Sequence, residues 1–235
     1  MMSDILNNSL VINYGLPILG FAITFLAQIY IKITYSKYKA VRNSKKNTGY
    51  DVARKILDEN GLKDILVLET EGELTDHYDP DKRVIKLSTD IYHGDSIASA
   101  SVAAHECGHA IQDKENYTFL RIRHRIVPLV NFSTKIGYIV LMIGLIMGAI
   151  GLATVGLVML MAMLVFQLVT LPVEFNASNR AKKQIDKLNL MAKDEQSGVK
   201  TMLFSAALTY VASLASTLFQ ILRLALIVNN RRNNK

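Results

Sequence analysis

The chain has 235 residues, 50% of them hydrophobic and 20% charged, with a formal net charge of +7, one cysteine and no tryptophan. One cysteine excludes a disulfide framework within the chain, and the apolar content excludes a disordered or collagen-like polymer. The charge is segregated: residues 136–173 contain no Asp, Glu, Lys or Arg, whereas residues 32–125 are dense in both signs. A small polar domain carried by membrane segments fits that pattern better than a uniformly soluble globule.

Residues 11–31 carry no charge and are long enough to cross a bilayer, which takes about 20 apolar residues. Pro17 falls in the first half, where membrane helices tolerate it. A cleaved signal peptide is the competing reading. Against it, residues 1–10 hold Asp4 and no Lys or Arg, and no small-x-small site follows. Lys32, Lys37, Lys39, Arg42, Lys45 and Lys46 come next. This asymmetry orients the helix with its C-terminal end in the cytoplasm. It also places much of the positive charge beside an anionic lipid surface, so nucleic acid is not needed to explain it.

In residues 48–60, Val52, Ile56 and Leu57 are spaced among charges and Gly61 follows, which predicts an amphipathic helix with a glycine stop. Residues 64–70 (DILVLET) predict a strand, 71–81 a turn-rich segment, and 83–88 (RVIKLS) a second strand. At a sheet edge, that second strand could bind an extended peptide by strand addition. A long helix is expected from an N-cap at Asp95 or Ser96 through Ala110. It carries His105-Glu106-Cys107-Gly108-His109. Histidines at i and i+4 share one helix face and can reach one metal ion, while the glutamate after the first can take a proton from metal-bound water. Zinc suits two imidazoles plus a carboxylate, with the fourth position left for water. The competing reading is a pair of ordinary helix histidines without metal. Cys107 occupies a free position of the motif and is expected to pack away from the metal.

As a single helix, residues 136–173 would be about 57 Å long, nearly twice the hydrocarbon core. A hairpin of two spans turning at residues 151–156 is expected instead, and it returns Lys135 and Glu174 to one side. Glu174 would then open a polar helix over 174–181 and is the candidate third ligand. A carboxylate bordering so long an uncharged run is costly without a partner. The competing reading is an interfacial glutamate stabilised by a helix N-terminus. Residues 201–228 form a further apolar stretch, interrupted by Gln220 and Arg223, which either spans or lies along the membrane. The organisation expected is an anchor (1–31), a cytoplasmic α+β portion (32–135), a transmembrane hairpin (136–173), a cytoplasmic helix with the third ligand (174–200) and a C-terminal apolar helix with a basic tail (201–235).

The stretches LTDHYDP (74–80), VIKLS (84–88), VAAHECGHAIQ (102–112), LPVEFNAS (171–178) and AALTYVA (206–212) resemble the YugP-like family of membrane-bound neutral zinc metallopeptidases. With the membrane pattern, the likeness covers nearly the whole chain. More distantly, the chain is similar to the heat-shock and CAAX-prenyl membrane proteases, which share a His-Glu-x-x-His helix and a later Glu helix. The resemblance implies a mainly α membrane protein with three or four transmembrane helices and a small α+β, zincin-like cytoplasmic metalloprotease unit. It further implies one Zn2+ per chain held by His105, His109 and Glu174, with Glu106 as general base, in a gluzincin-like metalloendopeptidase. The distant relatives carry Asp where this chain has Ser178, and the closer family tends to Asp where it has Asn176. Both positions bear on metal affinity rather than ligand identity. Asn176, Ser178, Arg180, His77 and Tyr210 are the candidates for orienting ligands or stabilising the transition state, with Tyr78 beside them. His77 and His93 otherwise read as turn residues, since three ligands already complete such a site.

The function expected is a membrane-embedded zinc endopeptidase hydrolysing membrane or membrane-proximal proteins, in a bacterial cell membrane with its active site at the cytoplasmic face. A non-catalytic zinc-binding scaffold or adaptor is the alternative. Transport through the bundle is weakly supported, because the spans lack acidic residues or paired charges.

Overall fold

The computed structural model describes residues 10–233. The reading of residues 1–9 and of Lys235 lies outside them. Among the described residues, four helices are long and apolar enough to cross a membrane: Val11–Lys39, Thr118–Ile146, Ile150–Lys187 and Gln196–Asn233. Together with one three-stranded sheet they make a mainly α membrane protein with a small α+β unit. The described residues divide into two compact units, one of residues 29–121 and 172–208, the other of 10–28, 122–171 and 209–233.

Helix α1, Leu16–Lys39, follows a π-helical turn over Val11–Gly15. Pro17 follows directly on that π-turn, in which the Leu16 N–H reaches back five residues to the Val11 carbonyl, so the wider turn sits where the proline ring and its missing N–H interrupt the regular helix ladder. The last turn carries Lys37 and Lys39, a favourable place for cations beside the negative end of the helix dipole.

In the 29–121 and 172–208 unit, α2 (Gly49–Glu59) starts with a capping box between Thr48 and Asp51. It stops at Gly61, where the Leu62 N–H donates to the Leu57 carbonyl. Its apolar face, Val52, Ile56 and Leu57, is fully buried and meets Ile85, Leu87 and Ile91 in one core. Each such side chain contributes roughly 1.5–3 kcal/mol by leaving water. Strands β1 (Leu66–Thr70), β2 (His77–Asp79) and β3 (Val84–Ser88) form a sheet in the order β1-β3-β2, with β3 parallel to β1 and antiparallel to β2. The segment expected to be turns therefore contains a strand. The expectation that 83–88 lies at an edge is corrected: β3 is central and buried on both faces, and the edges are β1 and β2.

After a short helix α3 (Thr89–His93), Ser96 caps α4 (Ile97–Lys114) by accepting from the Ser99 N–H at 3.0 Å. This helix extends one turn beyond the expected end. Ala98, Ala100, Ala103, Ala104, Cys107 and Ala110 are buried along it, so its small side chains admit neighbours at close range. Cys107 is fully buried, with its Sγ 3.6 Å from the Ala53 carbonyl. It packs, as expected, in the core.

In the other unit, the hairpin is α5 (Thr118–Ile146) and the first part of α6 (Ile150–Lys187). The turn lies at 147–149, on Gly148 with φ +67°, not at 151–156. Glycines within the helices serve a different purpose: a Cβ on Gly156 would fall 2.3 Å from the Leu141 nitrogen. Small residues at such crossings let spans pack in lipid. A second correction concerns Glu174. It does not open a helix, because α6 continues through Pro172 and Glu174 to Lys187 without a break. A helix N-terminus therefore cannot account for it. Helix α7, Gln196–Asn233, completes the fold.

Candidate metal centre

Helix periodicity brings His105 and His109 to one face of α4, with their rings 4.8 Å apart and nearly perpendicular. Glu174 reaches the same point from α6. Its Oε2 lies 3.3 Å from His105 Nε2 and 3.5 Å from His109 Nε2, and the two nitrogens are 3.2 Å apart. Tetrahedral zinc with bonds of about 2.0–2.1 Å separates neighbouring donor atoms by about 3.3–3.4 Å. The triangle therefore fits one face of such a site without rearrangement. Glu174 is buried at 2% exposure while the His105 and His109 side chains keep 15% and 12%, so the cluster is largely buried yet reachable from one side, and two imidazoles with one carboxylate suit a borderline-soft cation.

A chain of hydrogen bonds fixes these side chains. Arg180, which can only donate, gives its Nε–H to Asn176 Oδ1 at 2.7 Å and pairs through Nη1 with Glu115 Oε2 at 2.7 Å. Asn176 Oδ1 is thereby an acceptor and takes a second bond from the Gln112 amide at 2.9 Å; that amide also donates to the Val173 carbonyl at 2.8 Å. Gln112 Oε1 is then left as an acceptor, 3.0 Å from His109 Nδ1. The proton of His109 thus sits on Nδ1, and its Nε2 lone pair faces the triangle. His105 is held on its outer nitrogen by Ser178 Oγ at 3.2 Å. Asn176, Ser178 and Arg180 are all drawn into this arrangement.

Gln112, fully buried, was not singled out from the sequence. The available signal was its place three residues after His109, one turn along the same face. Gln112→Leu should keep the fold while weakening zinc about 10–100-fold, the usual effect of losing an outer partner. Competition with a chromophoric chelator measures it, and unchanged affinity would exclude the relay.

Glu106 is buried beside the triangle and accepts the backbone N–H of Tyr78. Burial pushes its carboxyl up to about 7; His105 pulls it down and Glu174 adds to the rise. The remaining candidates are less involved. The Tyr78 hydroxyl donates to Asp113 at 3.0 Å, and burial raises its pKa. His77 is exposed on β2 and its Nδ1 lies 2.7 Å from the Thr75 carbonyl. His93 is also exposed and pairs with Glu69 at 3.2 Å. Tyr210 belongs to the other unit.

A helix-borne histidine pair closed by a carboxylate from a second helix, in a chain with four membrane-length helices, defines a membrane protein of the metal-dependent class. The chain belongs to the family described as "Putative neutral zinc metallopeptidase", whose model matches residues 14–229. Zinc is accordingly the metal that the donor set fits. A curated relative, the "Putative membrane protease YugP" of Bacillus subtilis (strain 168), is 44% identical over 218 residues, covering 93% of this chain and 97% of the relative. No solved structure matches.

Proposed function

We propose that the protein is a membrane-embedded zinc endopeptidase of the gluzincin type, hydrolysing membrane or membrane-proximal proteins with Glu106 as general base. The observation that carries this reading is the largely buried triangle of His105, His109 and Glu174, with the buried carboxylate of Glu106 next to His105 in the chain. When bound there, zinc supplies a Lewis acid that polarises the scissile carbonyl and acidifies a water molecule. Glu106 takes the proton from that water and passes it to the leaving amine. Arg180, committed to Asn176 and Glu115, supports ligand geometry rather than the oxyanion. The sheet edge adjoining Glu106 is β2, whose Tyr78 N–H donates to its carboxylate. An extended substrate would add to the sheet at β2.

If each long helix crosses the bilayer once, residues 40–117 and 188–195 share a side with the basic residues that follow α1, which supports a cytoplasmic catalytic unit. The sole cysteine is buried, so a Glu73→Cys variant can report this. It should react with a membrane-impermeant maleimide only after cells are opened.

Purified protein should carry about one zinc per chain. A strong chelator should abolish cleavage of an unfolded test protein, and added zinc should restore it. Glu174→Ala should lose the metal; retention of stoichiometric zinc would refute the third-ligand assignment.

A further inference from the structure

Beyond the metal centre, a groove of about 190 Å³ lies between α6 and α7, lined in part by Phe175, Ser178, Lys182, Lys200, Leu203 and Phe204. We propose that it is a binding site for an anionic phospholipid.

The groove is amphiphilic in one direction. On α6, Phe175 is followed two turns later by Lys182, and that helix leaves a run of 38 uncharged residues as it reaches Phe175. On α7, Lys200 precedes Leu203 and Phe204, after which no charge occurs until Arg223. Each wall therefore offers an ammonium group where its sequence is polar and an aromatic ring where its sequence becomes lipid-compatible. Basic side chains collect at the cytoplasmic headgroup level, and phenylalanine rings are at home on the hydrocarbon side of it. Phe175 and Phe204 are 41% and 58% exposed, so the apolar end is open to a hydrocarbon chain. Among the described residues, neither Lys182 nor Lys200 has an acidic partner, whereas the nearby Lys187 is paired with Glu59. Two unpaired ammonium groups over an apolar trough complement a phosphodiester with an acyl chain, and the volume suits a headgroup with its first methylenes. A zwitterionic lipid carries its own cation into the same space and gains less.

The site adjoins the metal centre through one side chain. Ser178 lines the groove and holds the outer nitrogen of His105, so a bound lipid rests against a group that orients a zinc ligand.

The test uses full-length protein in phosphatidylcholine vesicles with trace labelled phosphatidylglycerol or labelled phosphatidylcholine, and measures the relative association of each with the protein. The wild type should prefer phosphatidylglycerol. K182Q/K200Q should weaken that preference by about fivefold per lysine, hence on the order of twentyfold, following the typical contribution of a basic residue near an anionic surface. K63Q/K193Q removes the same charge from exposed positions outside the groove and should keep the preference. F204A should shorten the residence of labelled phosphatidylglycerol. Zinc content reports that each variant is folded. Equal preference in K182Q/K200Q and the wild type, or equal losses in both double variants, would overturn the proposal. Displacement of the lipid by inorganic phosphate alone would reduce the groove to a simple anion site and overturn it. Displacement by an acidic peptide would make the groove a substrate subsite and overturn it as well.

Discussion

Replacing Glu106 by glutamine is expected to leave the zinc content unchanged and to lower proteolysis by on the order of 10²–10⁴-fold. The substitution removes a basic oxygen and almost nothing else. Glutamine has the same volume, its carbonyl can still accept the Tyr78 N–H, and the three donor atoms belong to His105, His109 and Glu174. Metal affinity and thermal stability should therefore stay near the wild-type values while the proton transfer disappears. A protein that used its zinc only to brace the fold would lose nothing in the same experiment. Comparing membranes that bear the active protein with membranes that bear the Glu106→Gln form should show full-length substrates accumulating in the latter. Equal activity of the two forms would remove Glu106 from the mechanism.

Gly108→Ala is expected to damage both the fold and the metal centre. A Cβ at this position would meet the Ala177 carbonyl oxygen at 2.5 Å and the Ala177 carbonyl carbon and Cα at 3.1 Å. The obstruction is backbone, so no rotamer change relieves it, and α4 must move away from α6. Overpacking of this kind costs about 1–3 kcal/mol. It also separates the helix of His105 and His109 from the helix of Glu174, so zinc affinity should fall together with Tm. Gly151→Ala is the matched control, since a Cβ there meets nothing within 4 Å. It should be neutral, or stabilising by up to about 1 kcal/mol through helix propensity. A Gly108→Ala protein with wild-type Tm and zinc affinity would show that the helices do not need this approach.

What could be read from the chain follows from how local each signal is. The four long helices are written in runs of apolar residues, and the histidine pair in a spacing that any helix converts into one face. Glu174 stood out because it is the first charge after 38 residues. The continuity of α6 did not. A proline next to a sudden change from apolar to polar sequence looks like a boundary, yet membrane helices tolerate the carbonyl that an interior proline leaves without its helical donor, because neighbouring groups can supply another. The turn of the hairpin was misplaced because Gly144, Gly148, Gly151 and Gly156 are alike in sequence. Gly148 turns the chain, while Gly144 and Gly156 let two helices touch. Strand β2 is three residues long and includes His77 and Asp79, so nothing alternates over a length that periodicity can detect. It exists because β3 offers it a partner, and the same pairing moved β3 from the edge to the centre of the sheet. Gln112 escaped notice because its two acceptors, Val173 and Asn176, lie more than sixty residues away.

Because Glu174 stands inside one unbroken helix that starts at Ile150, the order of synthesis constrains when the enzyme can exist. His105 and His109 leave the ribosome early, with Glu106 already between them. The closing carboxylate is made only after the first arm of the hairpin and the turn on Gly148 have been translated. Until then the nascent chain holds the two imidazoles and Glu106 without the carboxylate of Glu174, so the three-residue cluster has no complete donor set.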